Sequence, residues 1–225
     1  MGISSSCSCE LDGFKTTSHL KSMPRPATPG TRAHLLSTGL RRLHASGYAA
    51  CGVQEITQAA GVPKGSFYNH FPSKEAFAAA AVDAYWAKLR GRLADCLSDP
   101  AHPPLERLRG FFEGQFARME AGGFAGGCFL GNMGLEVADH APLVRERLAA
   151  ALADWTEIVS TVLAEARAAG TIPADTDCPA MAGVLLAAFE GALMRSRIQR
   201  DRKPLDDFLS LSFDPLRRRA APSQA

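Results

Sequence analysis

The sequence predicts an all-α protein with a small N-terminal three-helix domain followed by a larger helical domain. From Thr31 onward the apolar residues recur at the 3.6-residue spacing of amphipathic helices, and glycine or proline closes most of these segments. No segment shows the strict apolar–polar alternation of a half-buried strand, and no internal repeat is present in the sequence. The chain has 225 residues and is 46% hydrophobic, so it can bury a sizeable core.

The N-terminal elements are delimited by turn and capping residues. Residues 1–30 are rich in Ser and Pro and are predicted to be a disordered extension, so Met23 could be the true start. Four helices are expected next, each with a glycine, proline or capping serine at one end: Thr31 to Gly47, Val53–Ala60, Lys64–His70, and Ser73 to about Arg92.

Beyond the proline-rich break at 100–104 the predicted helices become longer. They run from Leu105 to Gly122, from Pro142 to Ala169, from Pro179 to Arg200 and from Leu205 to Phe213, and the glycine-rich segment 126–140 is expected to be half loop and half short helix. We therefore predict domains at 31–92 and 93–213, with a basic flexible tail at 214–225.

The net charge of +2 hides an asymmetry. Residues 23–90 carry eight Lys or Arg against three Asp or Glu, whereas residues 91–194 carry seven against fourteen. A basic N-terminal part suits phosphate binding, although a solvated charged surface explains the charge equally well. The sequence contains no apolar run of membrane-spanning length and no signal-peptide pattern, which favours a cytoplasmic location and free thiols for the six cysteines.

The stretch 61-GVPKGSFYNHF-71 predicts the turn and second helix of a helix-turn-helix. Gly61 supplies the positive φ that the turn needs, and Gly65 allows close approach of the backbone. Helical spacing puts Phe67 and Phe71 on one side, facing the core. The polar side chains left on the outside, with hydrogen-bonding reach to bases or phosphates, are Lys64, Ser66, Asn69 and His70.

The longer segment 48-YAACGVQEITQAAGVPKGSFYNHFPSKEAF-77 resembles the DNA-binding domain of the TetR-type transcriptional regulators. Gly52 departs from the Ser or Thr common at that position in the family. The resemblance implies a homodimeric regulator, most simply a repressor, that binds double-stranded operator DNA and responds to a small-molecule effector. It implies DNA contacts at Gln54, Lys64, Gly65, Ser66, Tyr68, Asn69, His70 and Lys74. The alternatives are a transcriptional activator and a helical interaction protein that does not bind DNA.

In the second domain, 127-GCFLGNMGLEVAD-139 is similar to a signature in the NemR- and AcuR-like branch of that family. The likeness makes Cys128 the signature cysteine, reactive in the electrophile sensors of the branch; the alternative is a small buried hydrophobe. Asn132 and Glu136 are expected to share a helix face with Cys128. With aromatic residues they could line a mostly apolar effector pocket, although core packing is the alternative for each aromatic: Phe112, Phe116, Trp155 and Phe189.

The helix that starts near Pro179 carries small residues along part of its surface, which allow close helix approach: Ala182, Gly183, Ala187, Ala188, Gly191 and Ala192. The resemblance implies that the last two long helices form the dimer interface. No spacing of nucleophile and base suggests an enzyme, and neither a metal site nor a cofactor is expected.

Overall fold

A computed structural model describes residues 30–219, and all of its regular elements within that range are α-helices. The predicted N-terminal extension, Met23 and residues 220–225 lie outside the described residues. In chain order the helices are α1 (Thr31–Ser46), α2 (Val53–Ala59), α3 (Lys64–Tyr68), α4 (Lys74–Leu97), α5 (Pro104–Ala121), α6 (Phe129–Val137), α7 (Pro142–Ala168), α8 (Cys178–Gln199) and α9 (Lys203–Arg219). The predicted all-α class is confirmed.

Local capping explains several helix ends. Gly47 ends α1 with a φ of 83°, and Gly61 forms the turn after α2 with a φ of 64°. The Ser73 Oγ accepts a hydrogen bond from the Ala76 N–H at 3.0 Å and caps α4. Asp177 caps α8 in the same way, accepting from the Ala180 N–H at 3.1 Å.

α4 joins the two parts of the molecule. It packs on α1 of the N-terminal part and on α5 and α7 of the larger part. It continues to Leu97, beyond the predicted end near Arg92, because Leu93 and Leu97 extend its buried stripe. The domain boundary that we predicted after residue 92 therefore falls inside a helix that both parts share.

Gly39 permits the close crossing of α1 and α4. A Cβ at this position would lie 2.3 Å from the Phe77 Cζ and 2.9 Å from the Ile56 Cγ2. The side chains of Phe77 and Ile56 are both fully buried, so they could not move aside for it.

The last helix is longer than the sequence predicted. α9 runs from Lys203 to Arg219, so residues 214–219 are helical and not part of a flexible tail. Leu216 is buried and Arg217 pairs with Glu106 of α5, and both contacts hold this end of the helix on the domain.

α8 has one face on the protein core and one face exposed. Among the described residues it is the one helix long and apolar enough to cross a membrane, but 39% of its apolar window is buried by packing within the protein. It packs against α7 and α9. Its outer face combines small residues with the exposed apolar side chains Val184, Met194 and Ile198.

Candidate nucleic-acid interface and ligand cavity

The inner side of α3 is fixed by an aromatic cluster. Phe67 is fully buried, and its ring centroid lies 5.5 Å from that of Phe71 and 5.4 Å from that of Phe77. These contacts set the rotation of a helix of only five residues, which could not be stable on its own. The orientation of the opposite side of α3 therefore depends on buried packing.

The outer side of α3 is polar and open to solvent. Lys64, Gly65 and Asn69 are exposed, Tyr68 is 51% exposed, and Ser66 is half-buried. Gln54 is exposed on α2. A Cβ on Gly65 would meet no atom within 4 Å, so packing inside the protein does not require glycine there. The open backbone at Gly65 suits close approach of a partner.

His70 and Lys74 are less exposed than the sequence suggested. The His70 Nε2 is buried and has no hydrogen-bond partner among the described residues. The Lys74 Nζ lies 4.2 Å from the ring centroid of Tyr48, a cation–π contact between α4 and the turn after α1. The sequence predicted that His70 projects outward, and its side chain is half-buried, with one ring nitrogen shielded from solvent.

Glu136 contacts the N-terminal domain and, with Asn132, lines a cavity of about 290 Å³ that Cys128 does not line. Its carboxylate accepts hydrogen bonds from the Tyr48 N–H at 2.7 Å and the Ala49 N–H at 2.6 Å. A Cβ at Gly47 would lie 2.8 Å from the Glu136 Oε2, so a glycine leaves room for this carboxylate. The sequence did not predict this contact. The spacing of Cys128, Asn132 and Glu136 indicates that they share a helix face, but not which part of the protein that face contacts.

His44 makes a second contact between α1 and the segment that leads into α6. Its Nε2 lies 3.0 Å from the Gly127 carbonyl oxygen, and its ring lies edge-on to Phe129. Burial lowers the pKa of His44, and the hydrogen bond to Gly127 offsets part of this effect. The Gly127 carbonyl oxygen can only accept, so the His44 Nε2–H is the donor in this contact.

Cys128 precedes the first residue of α6, as expected, but its surroundings disfavour the thiolate. The residue is 5% exposed. Burial raises the pKa of the Cys128 thiol well above its usual range, and the nearby Glu190 carboxylate raises it further. Burial also raises the pKa of Glu190, whose Oε1 has no partner among the described residues.

Two cavities meet at Cys128. The larger, of about 690 Å³, lies between α6 and α8 and is lined by Asn132, Glu190, Arg197, Arg200 and mainly apolar side chains. The smaller, of about 220 Å³, lies among α4, α5, α7 and α8, and Trp155 and Phe189 line it. Of the residues predicted to line a pocket, these two cavities therefore bring together Cys128, Asn132, Trp155 and Phe189.

The other two aromatic residues of that prediction lie in the core. Phe112 and Phe116 are fully buried and pack on Phe189 and Phe208, with ring centroids 4.9 to 5.7 Å apart. They line neither cavity. Within the described part of the chain no group of three His, Cys, Asp or Glu residues is placed to hold a metal ion.

Comparison with known proteins covers both domains. Residues 35–81 match the family model described as bacterial regulatory proteins, tetR family, and residues 104–211 match the one described as tetracyclin repressor-like, C-terminal domain. The chain is 35% identical to the HTH-type transcriptional repressor DhaR of Mycobacterium sp. (strain GP1), over 82% of this chain and 91% of that protein.

Two further relatives belong to the branch expected from residues 127–139. The transcriptional regulator AcuR of Cereibacter sphaeroides is 36% identical over 82% of this chain and 85% of that protein. The crystal structure of the reduced form of E. coli NemR has a TM-score of 0.77 and 28% identity, and the match covers 82% of this chain and 95% of that chain.

Proposed function

Because the chain belongs to the tetR family of bacterial regulatory proteins, which confirms the predicted family, we propose that it is a homodimeric repressor of its own operator DNA. It is a DNA-binding transcriptional regulator. The observation that carries the proposal is the exposed polar side of α3, held in place by the fully buried Phe67 behind it. As the second helix of a helix-turn-helix, α3 enters the major groove. A chromosomal partner implies a cytoplasmic location.

Base and phosphate contacts are divided among the exposed residues. Asn69 and Lys64 have the hydrogen-bonding reach to base edges, and Gly65 allows the α3 backbone to lie close to the groove. Tyr68, Ser66 and Gln54 suit phosphate oxygens. Lys74 reaches a phosphate by leaving the Tyr48 ring, whereas His70 acts through its less buried atoms.

A second copy of the chain covers the outer face of α8 and α9. Val184 is 63% exposed, Ile198 73% and Leu211 75%, which is unusual for large apolar side chains in a monomer. Gly183 and Ala187 on the same face allow close approach of a partner helix. Two protomers present two copies of α3 to half-sites one helical turn apart, which one short helix could not read alone.

Effector binding reaches the DNA-binding domain through α6. The cavity residues Cys128 and Asn132 lie at its beginning, and Glu136 holds the turn after α1 from its far end. An effector that binds better when α6 is shifted will move this turn and change the spacing of the two copies of α3. A coupling of about 1–3 kcal/mol is typical of such a link.

An electrophilic effector would act on Cys128 itself. The Cys128 Sγ, as the thiolate, would add to one carbon of a conjugated C=C bond in the effector, and that bond would become a single bond. The thiol proton would pass to water, and the neighbouring carbon would take up a proton from water. The similarity to NemR, whose structure is described as a reduced form, supports a reactive cysteine in this chain. The high pKa of the buried thiol, which the Glu190 carboxylate raises further, keeps this reaction slow at neutral pH.

The DNA-binding role is tested with Asn69→Ala and Lys64→Ala in a gel shift on the DNA upstream of the gene. Each substitution removes a groove contact without changing the core, so we expect a loss of about 1–3 kcal/mol of operator affinity with the helical content unchanged.

Lys88→Ala is the matched control, because Lys88 is an exposed lysine on α4 outside the candidate interface. It should bind the operator as the wild type does. Full operator affinity in both α3 variants would contradict the assignment of α3 to the major groove.

A further inference from the structure

The smaller cavity contains an excess of unused hydrogen-bond donors. Three buried nitrogen atoms of its lining residues have no partner among the described residues: Arg92 Nε, Gln115 Nε2 and Trp155 Nε1. Buried polar groups are nearly always paired, because an unpaired donor in a dry site costs about 1–3 kcal/mol. Three such donors around one space indicate that a ligand rich in acceptors belongs there.

Two guanidinium groups share this wall without a counter-ion. Arg92 and Arg118 both line the cavity, and neither forms an ion pair with a carboxylate of residues 30–217. Burial lowers the pKa of Arg118, and the positive charge of Arg92 lowers it further. Like charges held close together at a partly buried site are unfavourable unless an anion neutralises them.

Gln115 is oriented so that it adds a donor and not an acceptor. Its Oε1 accepts a hydrogen bond from the Arg118 Nε at 3.3 Å, which leaves its amide NH₂ without a partner. The Trp155 indole can only donate. The polar wall of the cavity therefore offers donors from four side chains.

The remaining walls are mainly apolar and the space is small. Leu89, Met119, Phe189 and Leu193 line it beside the rings of His44 and Tyr85, and its volume is about 220 Å³. Pockets for drug-sized ligands measure roughly 300–1,000 Å³, so this cavity suits a molecule of only a few heavy atoms. A ligand with a short hydrocarbon body would bury that body against these side chains.

We propose that this cavity binds a small aliphatic monocarboxylate. Its carboxylate accepts hydrogen bonds from Arg92, Arg118, Gln115 and Trp155, and its hydrocarbon body lies against Leu89 and Phe189, with its far end directed towards Cys128. Paired guanidinium–carboxylate bonds are among the strongest hydrogen bonds in proteins. Inorganic phosphate fits less well because it has no apolar part to place against the hydrocarbon wall. That this carboxylate is also the effector rests on the proposed function.

Isothermal titration calorimetry tests the site with three probes: butanoate, butanamide and inorganic phosphate. The amide has the shape of the acid without its charge. We expect saturable binding of butanoate to the full chain and at least about tenfold weaker binding of butanamide and phosphate. Equal binding of butanoate and butanamide, tighter binding of phosphate, or no binding of butanoate would each overturn the proposal.

Variants assign the binding to this cavity. Arg92→Gln and Arg118→Gln should each weaken butanoate binding at least about tenfold. Neither should lower the melting temperature of the ligand-free protein, because each removes one of two repelling charges. Arg118 is largely exposed, so its variant tests the proposal even if Arg92→Gln fails to fold.

Arg90→Gln changes an exposed position on α4, the helix that carries Arg92, and is the matched control. It should bind butanoate as the wild type does. Equal weakening in Arg90→Gln, or none in the cavity variants, would overturn the proposal.

The proposed binding site and the proposed repressor role are tested by different measurements, so one proposal can be refuted without the other. Operator binding by the ligand-free protein in a gel shift tests the repressor role and involves no carboxylate. Butanoate that binds in the calorimeter and releases DNA supports the site and its role as the effector site. Absence of butanoate binding in a protein that binds its operator overturns the cavity proposal alone.

Discussion

Phe67 and Tyr68 are neighbours in α3 with opposite surroundings. The Phe67 side chain is fully buried among Phe71 and Phe77, whereas Tyr68 is 51% exposed. We expect Phe67→Ala to lower the free energy of unfolding by about 3–5 kcal/mol, because it leaves a cavity behind α3.

Tyr68→Ala is the paired substitution, and it should change stability by less than about 0.5 kcal/mol while weakening DNA binding. Denaturant unfolding at one fixed protomer concentration compares the two variants. Equal stability losses would contradict the assignment of the two faces of α3.

Cys128 has a predictable reactivity. Burial and the Glu190 carboxylate both raise the pKa of its thiol, so little thiolate exists at neutral pH. Glu190→Gln removes the negative charge and lowers the pKa of the Cys128 thiol, so it should speed alkylation of Cys128 by iodoacetamide at pH 7.5. The alkylation rates of the wild type and of the variant should both increase as the pH rises.

Mass spectrometry of the peptide that contains Cys128 measures this rate separately from those of the other cysteines. Cys96, which is partly buried and outside both cavities, serves as the internal control, and its rate should not change. An equal or slower rate at Cys128 in Glu190→Gln would show that the carboxylate does not suppress the thiolate.

The sequence predicted single residues well where the cause is local. Gly61, Ser73 and Gly47 are marked by the backbone conformations or caps that they supply, and each lies where it was expected. Contacts between helices that are distant in the sequence are not indicated by any comparable residue pattern. Arg92 and Gln115 became neighbours of Trp155 only through the relative rotation of three helices, which periodicity does not encode.

At the scale of elements, α6 links the cavities to the DNA-binding domain. Glu136 accepts two backbone hydrogen bonds from the turn after α1, and His44 holds the segment that precedes α6. We expect Glu136→Gln to raise the hydrogen-exchange rates of the Tyr48 and Ala49 amides, because a neutral amide accepts these bonds more weakly than a carboxylate.

Asp139→Asn is the matched control, an acid-to-amide change just beyond α6 that should leave both amides protected. Unchanged exchange at Tyr48 and Ala49 in Glu136→Gln would mean that this carboxylate does not hold the turn.

Helix ends were predictable where a cap or breaker marks them, as at Gly122 after α5 and Pro142 at the start of α7. The extent of α9 could not be predicted from the sequence, because Leu216 is buried and Arg217 is paired through contacts with other parts of the protein. Pro215, a usual stop signal, lies inside α9.

At the scale of the whole molecule, the proposed dimer covers the open apolar face of α8 and α9. We expect Val184→Glu and Leu211→Glu to convert the proposed dimer to a monomer, because each buries an unpaired carboxylate in the interface. Light scattering after size-exclusion chromatography measures the mass.

Ala117→Glu, at an exposed position of α5 away from that face, is the control and should remain a dimer. A wild-type protein that is monomeric at micromolar concentration, or dimers in both interface variants, would contradict the proposed interface.

The most direct measurement of the central claim is a salt titration of DNA binding by the wild-type chain, on the DNA upstream of its gene and on a scrambled sequence of equal length. We expect an even number of protomers on the upstream DNA, and the logarithm of its affinity should fall linearly with the logarithm of salt concentration. The preference over scrambled DNA should persist at about 150 mM salt, because base contacts are screened less than phosphate contacts. Equal affinity for both sequences at that salt concentration would contradict a sequence-specific repressor.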